Sequence, residues 1–158
     1  MKLELLPFIR AMQDMKLPVQ SRQRVAAVAV GYACACHSPL PSSEVAGAED
    51  YFRTNHASAV RRVVSHFNEG TVIDVELAQE FARNFWLMRY EAVHRCPRMD
   101  QIEGDFFGSV FGAAKFFAPE TRQFCNDNAR DINYLYQVAC TRITDLVQER
   151  SQQITEPA

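Results

Sequence analysis

A chain of 158 residues with 47% hydrophobic and 23% charged side chains is long enough to bury its own core as one domain, without disulfides or metal. This composition excludes wholesale disorder, a collagen-like repeat and a Cys-rich miniature scaffold. With 17 basic against 19 acidic residues the net charge is −2, which leaves no electrostatic footprint for nucleic acid.

Residues 3–15 predict a short first helix with Pro7 near its first turn and Pro18 closing it. Residues 21–37, SRQRVAAVAVGYACACH, are small and apolar all round, the pattern of a helix at the centre of a bundle. Their length, about 16 residues, favours a helix over a buried Val-rich strand. The apolar stretches 25–36 and 106–118 fall short of the roughly 20 residues a membrane span requires. The first of them also begins too far along the chain for a signal peptide.

Residues 38–43, SPLPSS, read as a loop, because two prolines remove amide donors and force extended geometry before them. A single helix is predicted over 43–68, with Val45, Ala48, Phe52, His56, Ala59, Val63 and Phe67 on one stripe and Asn68-Glu69-Gly70 as its stop. Asp74 is a fair N-cap for a helix over 75–95, whose stripe is Leu77, Phe81, Phe85, Met88 and Ala92, widened by Ala78, Ala82, Trp86 and Val93. Asp100 and Glu103 have capping-box spacing ahead of a helix over 101–117. Pro119 opens a last helix over 119–150, with Cys125, Ile132, Leu135, Tyr136, Ala139, Ile143 and Leu146 as its stripe, which would run roughly 45 Å. A break near Asn126 to Asn128, or packing on a second subunit, would resolve that length. The tail 151–158 reads as frayed.

Several patterns tempt a functional reading. Glu91-Ala-Val-His94 is half of a carboxylate-bridged di-iron site, but it has no second copy, and the helical wheel puts Glu91 and His94 with Glu80, Arg83 and Asn84 on a solvated side. Cys34, Cys36 and His37, with His94 and Cys96 downstream, could supply soft zinc ligands, but Cys34 and Cys36 diverge by roughly 160° on a helix and lack zinc-site spacing. No nucleophile elbow, phosphate loop, dinucleotide fingerprint or Cys-x-x-Cys redox pair occurs. Residues 75–93 begin like a helix-turn-helix, yet their period runs on through Trp86 and Tyr90 where a turn should come.

Two features remain. His56 lies inside an apolar stripe, and a buried imidazole needs a partner or an interface. Gly104, Gly108 and Gly112 recur every fourth residue and form one smooth groove, at about 1 kcal/mol each relative to Ala. That groove suits close packing on the 21–37 helix, a dimer seam or a ligand cleft.

The sequence therefore predicts an all-α fold, residues 1–158 forming one domain of five or six helices around the Ala/Val-rich segment. The functional expectation is a non-enzymatic interaction or accessory protein, a helical homodimer that binds another protein. It is expected in the cytoplasm, since five cysteines without framework spacing suit a reducing compartment. No catalytic, cofactor-binding or metal-ligating residue is assigned, and neither nucleic acid nor membrane is an expected partner. The alternative is a small helical enzyme or ligand-binding bundle with a pocket near His56 or the Gly104/Gly108/Gly112 groove.

Overall fold

A segment that is apolar on every side must be covered on every side, and residues 25–35 are, with Tyr32 alone half-buried among them. A computed structural model of the chain describes residues 5–70, 73–95 and 118–155, with the backbone alone at 70, 95 and 144–155. Within those residues the structure is all-α: α1 (Leu6–Gln13), α2 (Val19–His37), α3 (Ala48–Asn55), α4 (Ala57–Gly70), α5 (Val75–Arg95), α6 (Pro119–Asp127) and α7 (Ala129–Thr155). They form a single bundle with α2 at its centre, sandwiched between α5 and α7. Val25 to Val30 are fully buried without interruption, and Ala33, Cys34 and Ala35 continue the core. Burying each Val is worth roughly 1.5–3 kcal/mol. None of the described helices is long and apolar enough to cross a membrane.

The seven described helices exceed the predicted five or six because two long periodic stretches each contain a break. The first falls at His56, whose backbone (φ −126°, ψ −27°) leaves the helical well between α3 and α4. The second falls at Asn128 (φ −116°, ψ 19°), within the interval that the sequence singles out. Both breaks carry the same local device. Asn55 Nδ2 donates to the Tyr51 carbonyl at 2.9 Å, and Asn128 Nδ2 donates to the Phe124 carbonyl at 2.9 Å. An amide side chain thus competes for a carbonyl of the ending helix.

The break at His56 changes the register beyond it. The buried stripe of α4 is Val60, Val64 and Phe67, whereas Ala59 and Val63 of the predicted stripe are only half-buried. In α5 the expected cap is present: Asp74 Oδ1 accepts from the Leu77 amide at 3.0 Å. In α7 the buried stripe is Ile132, Leu135, Ala139 and Ile143, as its periodicity predicts. Arg24 of α2 lies over the Phe124 ring at 4.0 Å and ties α6 to the central helix.

At Gly31 the backbones of α2 and α5 approach closely. A Cβ there would stand 2.6 Å from the Ala78 carbonyl oxygen, 2.8 Å from Phe81 Cβ and 3.1 Å from the Ala82 nitrogen. Two of those atoms are α5 backbone and cannot retreat without moving the helix. Gly31→Ala gains about 1 kcal/mol of helix propensity. Against backbone, however, overpacking of about 1–3 kcal/mol wins. G31A is therefore expected to lower the denaturant midpoint, and an unchanged or raised midpoint would contradict the close approach of α2 and α5.

Candidate functional site

Gly104, Gly108 and Gly112, with the predicted helix over 101–117, lie outside the described residues. The site is therefore built from His56 and its surroundings, where α3, α4 and α5 meet.

His56 is 9% exposed, at the elbow between α3 and α4. Its ring is enclosed by aromatics, with centroids 5.8 Å from Tyr51, 5.8 Å from Phe52 and 5.4 Å from Trp86. Nε2 is buried without a hydrogen-bond partner. Burial holds the imidazole below its ordinary pKa of 6.5, and the Pro39 carbonyl opposes this in the lesser degree. Among the described residues no carboxylate, hydroxyl or thiol hydrogen-bonds to the ring.

Behind His56 runs an aromatic ladder on α5. Trp86 is stacked between Tyr51 (5.8 Å, 12°) and Tyr90 (5.6 Å, 16°), and Tyr90 meets His94 at 4.7 Å. The same face straps down the 38–47 loop. Trp86 Nε1 donates to the Pro39 carbonyl at 3.2 Å, and His94 Nε2 meets the Pro41 carbonyl at 3.1 Å. Tyr90 Oη accepts from the Val45 amide at 2.8 Å and donates to the Val45 carbonyl at 3.2 Å. Arg89 donates to the carbonyls of Ala35 and Ser38, closing the C-terminus of α2. His94 is thus held to the loop, and Asn84 is buried, so that side of α5 is not the solvated face the wheel suggests.

In front of His56 lies a half-open groove of about 350 Å³ between α3, α4 and α5. Its floor is apolar, from Phe52, Ala57 and Val60. Its rim carries three carboxylates (Glu49, Asp50, Glu80) and three guanidiniums (Arg53, Arg61, Arg83). Arg53 pairs with Asp50 at 2.7 Å, and Arg83 reaches Glu49 at 3.4 Å. Both pairs are solvent-exposed, worth at most about 1 kcal/mol each. His56 itself does not line the groove. It packs against Phe52, outside the lining of the groove.

The second cluster is one of thiols at the α2–α7 seam. Tyr136 Oη donates to Cys36 Sγ at 3.6 Å and also hydrogen-bonds Cys140, one turn along α7. Tyr32 covers it, 4.3 Å from Tyr136 and 4.9 Å from Phe85. Cys34, Cys36, Cys125 and Cys140 are all free thiols. Burial pushes the Cys34 thiol up to about 12, with Cys140 and Cys36 adding to it. Burial also pushes Cys125 up to about 12 against the opposing charge of Arg24. Thiols so protonated are poor nucleophiles. Among the described residues no three His, Cys, Asp or Glu side chains converge to hold a metal ion.

Compared with protein-family models, curated proteins and solved structures, the chain matches none.

The Arg89 cap and the donor face of α5 escape sequence reading, because a wheel ranks polarity and not reach. Gly31 carries a usable signal that the more conspicuous 104–112 repeat overshadows: it is a lone glycine inside a helix of small residues.

Two outcomes follow from the burial. His56 and His37 both have folded pKa values below 6.5, by burial first and, for His37, Arg89 next. The unfolded chain then binds more protons, so stability is complete above pH 6.5 and falls as pH drops toward the folded values. Urea melts between about pH 7.5 and 5 should show that fall, and His56→Phe should reduce its slope. An undiminished slope in H56F would place the titration elsewhere. Separately, iodoacetamide at about pH 8 should leave Cys34 and Cys125 unmodified in folded protein and label both after unfolding. Labelling of either at the rate of a free thiol would show that it is not buried.

Proposed function

We propose that this is a non-enzymatic interaction protein whose working surface is the α3–α4–α5 groove. The observation that carries the reading is the groove's build, an apolar floor within a rim of charge, which is how protein interfaces are arranged. A protein partner suits this rim better than nucleic acid, because its three guanidiniums are balanced by three carboxylates. An apolar patch elsewhere has little support. The exposed large apolar side chains among the described residues are Val19, Val93 and Tyr134, one each on α2, α5 and α7. Free thiols at Cys34, Cys36, Cys125 and Cys140 suit a reducing, cytoplasmic setting.

Ala57→Arg tests the reading. Ala57 is the half-buried first residue of α4 on the groove floor, and a guanidinium there fills the cleft from a helix end that can tolerate it. A57R is expected to keep the wild-type melting midpoint within a few degrees, roughly 1 kcal/mol for a chain of this size. It should also lose association with whatever protein, foreign or its own copy, binds the immobilised wild type. Equal binding by wild type and A57R, or no association by wild type at all, overturns the proposal.

A further inference from the structure

The rim of the groove is not merely mixed in sign. Its two internal pairs, Arg53 with Asp50 and Arg83 with Glu49, neutralise two cations and two anions. Arg61 on α4 and Glu80 on α5 remain. Both are exposed, both border the groove, and among the described residues neither has an ion-pair partner, including each other. One unpaired cation and one unpaired anion on a single patch make it self-complementary. A two-fold axis brings a surface patch against itself, so that residue i of one copy meets residue j of the other and j meets i. An axis that passes between the two residues would set Arg61 of each protomer opposite Glu80 of the other and satisfy both charges at once.

We infer that the occupant of the groove is a second copy of this chain, docked about a two-fold axis with Arg61 and Glu80 paired reciprocally across the interface. The inference rests on the groove being the working surface. The seam so inferred is the α3–α4–α5 face; the Gly104/Gly108/Gly112 strip lies outside the described residues. Partners with a single sign of charge would leave one of the two residues unpaired or opposed. The same geometry disfavours a strongly acidic or strongly basic ligand.

The test is a charge swap read by sedimentation velocity at low ionic strength, over a dilution series from about 1 to about 300 µM to cover weak association. Wild type is expected to dimerise, with added salt shifting it toward monomer. In its own homodimer, Arg61→Glu sets the substituted carboxylate against Glu80 twice, and Glu80→Arg sets the substituted guanidinium against Arg61 twice. Each single variant should dimerise about tenfold or more weakly than wild type. An equimolar mixture of R61E and E80R should recover dimer, because in the mixed pair both contacts join opposite charges. Mixing cannot repair damage within a chain, so recovery separates interface pairing from a folding defect. Circular dichroism of each variant should remain wild-type.

Monomeric wild type throughout the series overturns the inference. So do single variants that dimerise as well as wild type, and a mixture that stays as weak as its components. A monomeric wild type whose binding to a foreign protein is abolished by A57R would overturn self-pairing while leaving the groove as the working surface. Failure of A57R to alter any association would overturn both.

Discussion

Everything in this bundle depends on α2 having no solvent side between Val25 and Ala35. A helix made of Ala, Val, Cys and Gly contributes little volume per residue, so it can be buried all round only if its neighbours come unusually close. Gly31 shows that demand, since α5 backbone occupies the place of a side chain. Once α5 is drawn against one flank of α2 and α7 against the other, the remaining elements close what is left. Phe8 of α1 packs edge-on to Phe67 of α4 at 4.9 Å, and Tyr32 of α2 bridges Phe85 of α5 and Tyr136 of α7. Burying a helix also buries its last carbonyls, which must find donors. Ser38 supplies both its amide (3.0 Å) and its hydroxyl (2.8 Å) to the Cys34 carbonyl, and Arg89 takes those of Ala35 and Ser38.

Arg89 links the core to the surface because it belongs to a second working face of α5. Phe81 and Phe85 line the core, whereas Trp86, Arg89, Tyr90 and His94 recur at i, i+3, i+4 and i+8 and supply polar tips to the loop that follows α2. The prolines of that loop leave it short of amide donors and rich in carbonyls. A helix face bearing an indole, a guanidinium, a phenol and an imidazole meets that need from one side. Trp86 stacks on Tyr90, and Tyr90 meets His94 at a tilt, while the tips of all three bond the loop, so packing and hydrogen bonding reinforce a single geometry. The ladder continues through Tyr51 into α3 and so fixes α3 relative to α5.

Fold class, the central position of residues 21–37, the Asp74 cap and the α7 stripe are legible in the sequence because each follows from local periodicity or from a cap a few residues long. The break at Asn128 is legible too, since an uninterrupted helix would be too long for the domain. The break at His56 is not, because the apolar period continues smoothly through it. Only the backbone torsion and the register of Val60, Val64 and Phe67 reveal it. Reciprocal contacts such as Tyr136 with Cys36, or His94 with Pro41, join residues tens of positions apart, and no local pattern encodes them. The apolar stripe marks His56 as buried. A stripe cannot show that the ring packs behind the groove rather than in it.

That position gives His56 its significance. In one straight helix over 43–68, residues 53, 57, 60 and 61 would lie along a single convex stripe, their charges fully hydrated and able to contribute little to any contact. In the structure, with a break at His56 between α3 and α4, these residues line a concavity that Gln79, Glu80 and Arg83 of α5 close. Concavity matters because a ring of contacts can exclude water from the centre, where charge pairing and apolar burial gain strength together. The cost of the elbow is an imidazole with a buried, unpartnered nitrogen, which typically costs about 1–3 kcal/mol. Tilted and edge-on ring contacts with Trp86, Phe52 and Tyr51 offset part of that cost. His56 therefore supports the groove without lining it, through its ring contact with Phe52.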